Sequence, residues 1–410
     1  MSAVTALTAQ NTLGVQGVFE VPADFVERQM EAVISDIGVD ALKTGMLGNS
    51  AIIRVISRMI RRFRITQVVV DPVIASKNGT RLLAPEAERS LKQELLPLAR
   101  VITPNLAESE MLTQRKVRGM KGMREAAARI HSMGAKNVLI KGGHLPGEPV
   151  DLLFDGRRFQ EFAGSRLDTP NTHGTGCTLA AAIAVELAKG TAVAAAVEKA
   201  KAFVASAIRF SLPLGCGQGP VNPFVHASRQ MERYEVLQKL KQAFYRLQEA
   251  KVGDLCLEVQ SNLGYALPCA LETDEVAAFP GRFTRLGKEV LKVADPEFGA
   301  SQHIARMILT AMAYDPSMRA AMNVRFAEET VRRAKKAGFV VRQFSRGDEP
   351  RRAAHLEGSS LSWGVKKVIE NSRTFPDIIF DRGGMGKEPM IRVLGHDPAE
   401  VVAKVLALKP

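Results

Sequence analysis

Short apolar runs alternate along the first half of the chain with longer stretches in which apolar residues recur every three or four positions. Gln67–Val70, Val101-Ile102 and Asn137–Ile140 read as buried strands; Pro22 to about Ile37, Asn49–Phe63 and Arg118–Met133 read as amphipathic helices. Strands and helices taking turns in this way predict an α/β domain with a mostly parallel sheet and crossover helices. Polar and glycine residues gather where the strands end, at Asp71-Pro72, Thr103-Pro104-Asn105 and Lys141-Gly142-Gly143. Open α/β sheets bind their ligands along that edge.

The helical pattern of Thr191–Phe210 ends in Pro213–His226, whose glycines and prolines mark a linker or an ordered domain exit. A helix from about Ser228 to Ala250 follows, with Val236, Leu237, Leu240, Phe244 and Leu247 on one face. Beyond it, strands are expected at Leu255–Val259, Val276–Phe279, Val340–Gln343, Asp377–Phe380 and Met390–Leu394. Helices are expected at Ser301–Met312, Arg325–Ala337, Ser362–Asn371 and Pro398–Leu406. The chain therefore divides into two α/β domains, 1–226 and 227–410, the second of mixed type.

Candidate chemistry centres on Asn171–Ala182, NTHGTGCTLAAA, which opens onto a small-residue helix. Gly174 and Gly176 let a ligand approach the backbone, and the unpaired N–H groups at the positive helix end favour an anion. Cys177 stands on the first turn, where a helix amino terminus lowers a thiol pKa and leaves a base or nucleophile beside that anion. A plain strand-to-helix connection has the same composition. The sheet edge adds Asp71, Asn105, Glu108 and Lys141. Asn105 and Glu108 either hold a hydrated magnesium ion or cap a helix after Pro104; Lys141 can meet a phosphate, and Asp71 can orient metal-bound water.

In the second half Arg282, the helix start Gly299–His303, Arg325, Ser345–Asp348 and Asp381–Lys387 put arginines and glycines on loops, which suits a phosphate or diphosphate. Taken singly, His303 reads as readily as a packed histidine, and Asp381-Arg382 as a surface turn.

Composition narrows the class. A chain of 410 residues with 46% hydrophobic content can bury two cores. The net charge of +13 is divided between both halves without a basic tail. Its densest cluster, Arg58, Arg61, Arg62 and Arg64, reads as a solvated helix face, so nucleic acid is not an expected partner. Cys177, Cys216, Cys256 and Cys269 form no CxxC pair and read as the reduced thiols of a cytoplasmic protein. No apolar run reaches the roughly 18 residues of a membrane span.

Six motifs in order carry a resemblance: Thr8–Thr12, Thr44-Gly45-Met46, Val70–Val73, Thr103-Pro104-Asn105 with Glu108, Lys141–His144 and Gly174–Thr178. Together they resemble the hydroxymethylpyrimidine and phosphomethylpyrimidine kinases of thiamine biosynthesis, members of the ribokinase-like superfamily. The resemblance implies a layered αβα domain that phosphorylates the pyrimidine alcohol and then its monophosphate, with ATP and Mg2+. It implies pyrimidine contacts at Gln10, Met46 and Val73 and a catalytic base at Cys177. It further implies an anion hole at Gly174 and Gly176, nucleotide contacts at Lys141, Asn105 and Thr175, and metal-side carboxylates at Asp71 and Glu108. Family members open with a strand and a glycine-rich turn; this chain starts just after them, and a misplaced start codon is the expected cause.

From about Tyr234 onward, Phe298–Ala305, Met322–Arg325 and Pro376–Gly384 resemble the thiamine-phosphate synthase domain found fused behind the same kinase. This implies condensation of the pyrimidine diphosphate with thiazole phosphate, with Arg282 and His303 catalytic and Arg325, Asp381 and Arg382 at the substrate. The expected partners are these small molecules, with a homo-oligomer allowed. The competing expectation is a kinase for another vitamin-like alcohol fused to a thiamine-phosphate sensor.

Overall fold

The computed structural model describes residues 1–74, 81–143, 145, 147–258, 260–346, 359–384 and 388–410, the side chains of 359–362 excepted. Five features expected from sequence fall wholly or partly outside them: His144, Val259, Gly347, Asp348 and Met385–Lys387. Two compact units divide the chain, Met1–Val225 and His226–Pro410.

Val68, Val69 and Val70 have no exposed surface. Successive strand side chains point to opposite faces, so Val68 and Val70 join one apolar core and Val69 the other. A strand apolar on both faces needs cover on both, and helices supply it. The strands of this sheet are β3 (Leu42–Thr44), β4 (Val68–Val70), β5 (Val101–Ile102), β6 (Val138–Ile140), β7 (Val150–Phe154) and β8 (Phe159–Ala163), in that order. Helices α1 (Ala23–Asp36), α2 (Ser50–Arg62) and α5 (Gly119–Ser132) pack into the first core, α6 (Thr175–Ala188) and α7 (Val193–Arg209) into the second. Between them run the short α3 (Ala87–Ser90) and α4 (Leu106–Thr113). The αβα layering expected from sequence is present.

From β3 to β6 every pairing is parallel, whereas β7 and β8 close the sheet as an antiparallel hairpin that the periodicity did not announce. A second unannounced hairpin, β1 (Ala6–Asn11) with β2 (Gly14–Glu20), forms a separate two-stranded sheet. Its turn is set by Asn11, whose side-chain oxygen accepts from the N–H groups of Leu13 at 2.9 Å and Gly14 at 3.2 Å. Helix α2 is started by Asn49, which accepts from Ala51 N at 3.0 Å and Ile52 N at 3.1 Å. Asn49→Ala is expected to cost this unit about 1 kcal/mol, the usual worth of an N-cap, measured by urea unfolding.

In the second unit α8 (Val225–Glu249) buries Leu240, Phe244 and Leu247. The main sheet has the order β13-β10-β9-β14-β17-β16-β15 and is antiparallel apart from β15 with β16. Its strands are β9 (Leu263–Ala266), β10 (Val276–Ala278), β13 (Glu297–Phe298), β14 (Ala320–Arg325), β15 (Val341–Gln343), β16 (Ile378–Asp381) and β17 (Met390–Gly395). The hairpin of β11 (Phe283–Leu286) and β12 (Glu289–Lys292) stands apart. The remaining helices are α9 (Gln302–Met312), α10 (Glu328–Lys336), α11 (Ser359–Glu370) and α12 (Pro398–Ala407).

Two sequence expectations need correction here. No strand forms over Leu255–Glu258, the described part of the first stretch: Gly253–Leu255 is a 3-10 turn, and the ladder begins only at Leu263. Leu255 and Leu257 are buried as apolar residues should be, but burial in so short a run does not distinguish strand from turn. Arg325 does not begin a helix; it pairs with Met390 as the last residue of β14, and α10 starts at Glu328.

Candidate active sites

In the first unit the strand ends stand side by side. The backbone of Asp71 donates to Thr44 O, that of Thr103 to Val70 O, and that of Lys141 to Pro104 O. Past β6 the ladder continues as a single parallel bridge between Asn105 and Lys141. Lys141 Nζ thereby lies 3.2 Å from Asp71 and 3.8 Å from Glu108. Lys43, in the middle of β3, meets the other oxygen of Asp71 at 3.8 Å. Asp71 is 3% exposed and accepts from the Thr103 hydroxyl at 3.4 Å.

Gly174 is the N-cap of α6 with φ +85, a left-handed conformation that glycine adopts without strain. A Cβ added at Gly176 would lie 3.2 Å from Lys141 Nζ, so the lysine cation sits at the start of this helix. Gly142, beside Lys141, admits no side chain at all: its Cβ would lie 1.9 Å from Val150 O. Its N–H is held by Asp151 at 2.9 Å, and Asp151 by Lys201 at 2.6 Å. Thr175 turns its hydroxyl back to Thr172 O at 2.7 Å.

Charge in this cluster is strongly coupled. Burial pushes the Glu108 carboxyl up to about 7, against the pull of Lys141. Burial alone would depress Lys141, yet Asp71 and Glu108 together hold its ammonium above the ordinary value. Cys177 departs from the sequence expectation. Its thiol is exposed, but surrounding protein and then the Asp71 carboxylate raise its pKa, outweighing Lys43 and Lys141. The helix terminus does not activate it as expected, because burial first and the Asp71 carboxylate second disfavour the thiolate.

Asn105 and Glu108 do what the capping alternative requires. Asn105 Oδ1 accepts from Glu108 N at 2.8 Å, and Glu108 Oε2 accepts from Asn105 N at 2.7 Å, a reciprocal capping box. Glu108 also faces Lys141 at 3.8 Å. Gln10 reaches the glycine loop before α6 through its Nε2, 3.3 Å from His173 Nε2. The Pro213–His226 stretch is an ordered exit: Val221 N donates to His173 O, and Gln218 N donates to Thr12 O. Met46 follows β3 and is tied by its carbonyl to the Thr5 hydroxyl at 2.6 Å; Val73 follows Asp71 by two residues. His173 and Lys43 are the groups sequence reading passed over, although His173 lies inside the glycine motif.

The second unit carries two adjoining cavities of about 480 and 140 Å³ that share Asn262, Arg282, Ser301 and His303. Ser301 caps α9, and His303 lies on its first turn. Arg282 follows Gly281, both with positive φ, +64 and +69. His303 Nε2 is buried with no hydrogen-bond partner among the described residues. Burial first, then Arg392, Arg282 and Arg346, bring this imidazole down to about 4.

Three expected substrate contacts are placed otherwise. Arg325 is exposed, on the same face of β14 as Asn323 but two residues further along, and lines neither cavity. Arg382 is exposed, pairs with Glu328 and lies over the Phe326 ring. Asp381 is fully buried and committed to Arg346 at 2.6 Å and Arg392 at 2.8 Å. In their place the walls hold Asn262, Gln302 and Arg306.

A layered unit with a glycine-led helix start beside Lys141, followed by a second unit whose sheet bears an arginine-lined cavity, defines a two-unit α/β protein. The profile described as Phosphomethylpyrimidine kinase matches residues 1–222, and that described as Thiamine-phosphate synthase ThiN matches residues 239–407. The chain belongs to the phosphomethylpyrimidine kinase family and carries a thiamine-phosphate synthase ThiN region behind it.

It is 48% identical over 233 residues to the thiamine biosynthesis bifunctional protein ThiED of Geobacter sulfurreducens, covering 57% of this chain and 48% of that protein. The chain thus spans about half the length of that relative. It is 43% identical over 226 residues to the hydroxymethylpyrimidine/phosphomethylpyrimidine kinase of Bacillus subtilis, covering 55% of this chain and 83% of that one. The ADP complex of Bacillus subtilis pyridoxal kinase superposes with a TM-score of 0.52 at 38% identity, over 55% of this chain and 87% of that chain. Among the described residues no helix is long and apolar enough to cross a membrane.

Proposed function

We propose that residues 1–226 phosphorylate hydroxymethylpyrimidine and then its monophosphate with ATP, and that residues 227–410 condense the resulting diphosphate with thiazole phosphate to thiamine monophosphate. The observation that carries the kinase reading is Lys141 Nζ, held by Asp71 and Glu108 at the start of the α6 anion loop. Gly174 and Gly176 offer backbone N–H groups to the transferring phosphoryl, and Lys141 neutralises charge on its oxygens. Gln10, Met46 and Val73 flank this point as the pyrimidine contacts, and Asn105 and Thr175 lie on the nucleotide side. Cys177 takes the proton of the substrate hydroxyl.

Asp71 and Glu108 are the carboxylates that would hold Mg2+. Two nearly buried carboxylates sharing one ammonium suit a hard cation that keeps most of its waters. When bound, the ion neutralises phosphate charge.

In the second unit Arg282, His303, Arg306 and the α9 start face one cavity, which suits a diphosphate. The pyrimidine methylene–oxygen bond breaks with its electron pair leaving on pyrophosphate, and the thiazole nitrogen forms the new bond to carbon. Arg282 stabilises the departing charge, and His303 donates to it as a neutral imidazole. The setting is cytoplasmic small-molecule metabolism. One chain carrying both steps raises the concentration of one product near the next site.

Purified chain supplied with hydroxymethylpyrimidine, ATP, Mg2+ and thiazole phosphate is expected to yield thiamine monophosphate, followed by chromatography. Pyridoxal in place of the pyrimidine tests the rival alcohol, and supplied pyrimidine diphosphate tests the synthase alone. Because Cys177 must lose its proton and its pKa is raised, the kinase rate is expected to climb from neutral into alkaline pH. A flat profile there removes Cys177 as the base.

A further inference from the structure

Across the second unit's sheet, register places four polar side chains on the face that α9 covers. Asn323 in β14 stands opposite Arg392 in β17, Arg392 stands opposite Ile379, and Asp381 lies two residues beyond Ile379 on the same face. Asn262 adjoins Asn323, which accepts from its N–H at 2.7 Å. Arg392 is wholly buried in an otherwise apolar strand. Its Nη1 lies 2.8 Å from Asp381 as an ion pair, off the angle of a hydrogen bond, and Nε, Nη1 and Nη2 all lack a hydrogen-bond partner among the described residues. Asp381 also receives both Nε and Nη2 of Arg346, at 2.6 and 3.2 Å. One carboxylate thus serves two guanidiniums, and a third, Arg282, stands at the adjoining cavities.

Such an arrangement is poor for stability, since a buried ion pair is often replaceable by apolar residues at no loss. Its position beneath a cavity whose histidine nitrogen also lacks a partner points to function. We propose that Arg392, clamped by Asp381, is a positioning residue of the second unit: it sets fixed positive charge under His303 and Arg282 and makes the 140 Å³ inner cavity the seat of the diphosphate end of the substrate.

This rests on the synthase reading above. The charged groups facing His303 are Arg282, Arg346 and Arg392. Burial first, and then these three cations, keep its imidazole neutral at ambient pH, so it can donate one hydrogen bond to the anion. Arg392 itself, though burial draws it down to about 10, stays protonated there.

Titration calorimetry of the full chain with inorganic pyrophosphate tests the proposal. Arg392→Met is expected to weaken binding roughly ten-fold or more, the scale of a unit charge acting through protein. Arg392→Lys, which keeps the charge, is expected to recover much of that loss. By proton NMR the His303 ring, assigned by its absence in His303→Asn, is expected to titrate at higher pH in Arg392→Met than in the parent. Arg392→Gln, which removes the charge but keeps a polar group beside Asp381 while Asp381 stays paired with Arg346, serves where Arg392→Met does not fold, with the same two outcomes expected.

A folded variant with parent affinity for pyrophosphate and an unmoved His303 titration would overturn the proposal, since a purely structural Arg392 alters the melting temperature alone. If the parent chain neither binds pyrophosphate nor forms thiamine monophosphate, the synthase reading fails and takes this proposal with it. If the parent forms product while the Arg392 variants leave both readouts unchanged, only the positioning role is lost.

Discussion

Lys141→Met is expected to lower the rate of pyrimidine phosphorylation by about a thousand-fold, the upper range for removing one preorganised charge from a phosphoryl or oxyanion site. The ammonium is 3.2 Å from Asp71 and 3.8 Å from Glu108, and it lies at the Gly176 turn that opens α6, where the proposed kinase reading seats the phosphate. Its loss therefore removes a charge needed in the transition state, so kcat should fall more than KM rises. Steady-state assay with ATP and the pyrimidine reads both. A kcat within three-fold of the parent would mean that the phosphate sits elsewhere. Synthesis from supplied pyrimidine diphosphate should be untouched, because no second-unit residue is altered.

The same substitution carries a signature in stability against pH. Glu108 is already raised to about 7 from 4.5, which amounts to about 3 kcal/mol for keeping it ionised when buried. Removing Lys141 removes the largest influence that lowers it, so the carboxyl rises further. A carboxyl whose folded pKa exceeds its unfolded one contributes stability that is fully present below the unfolded value. That contribution is lost as pH rises through the folded value. Lys141→Met should therefore be close to parent stability at acid pH and fall increasingly below it as pH passes 7, as melting temperatures at the two ends would record. Glu108→Gln added to Lys141→Met should flatten that dependence.

How far the sequence exposes this site depends on what kind of pattern each group lies in. Val68–Val70 ending at Asp71, and Val138–Ile140 ending at Lys141, can be read because each short apolar run lies between helical patterns in the strand–helix alternation of a parallel sheet, a context that the Leu255 run lacks. The α6 start can be read because Gly174 must adopt a left-handed conformation. The Asp71–Lys43 contact cannot be read, since it depends on which strands become neighbours. Nor can the raised thiol of Cys177, where the helix end argues one way and a carboxylate from the end of β4 the other.

In the second unit the positions of Arg282 and His303 are visible as glycine-flanked polar residues on loops. Arg392 is invisible, because a lone arginine in MIRVLG reads as the solvent side of a strand. Arg325 and Arg382 stand beside the stretches that carry the resemblance, yet strand ends leave both in solvent. The β1–β2 hairpin escaped because its strands bury little and so show no apolar period.

Arg282→Ala is expected to reduce formation of thiamine monophosphate about a thousand-fold, again the cost of one positioned charge at a departing anion. The backbone at Arg282 has φ +64 directly after Gly281 at +69, and non-glycine residues held in this region carry about 1–3 kcal/mol of strain. Strain tolerated at a cavity wall implies that the side chain's direction matters, since Phe283 just beyond it is fully buried and leaves the turn little freedom.

Comparing alanine with glycine at this position separates the two roles. Both lose the guanidinium and should lose the synthase rate equally, while Arg282→Gly relieves the backbone and should be more stable than Arg282→Ala by about 1 kcal/mol. The kinase rate measured with ATP and the pyrimidine alcohol should match the parent in both variants. A synthase rate in Arg282→Gly within a few-fold of the parent would show that the strained turn holds the loop alone, and would move the site's leaving-group charge to Arg306 or His303.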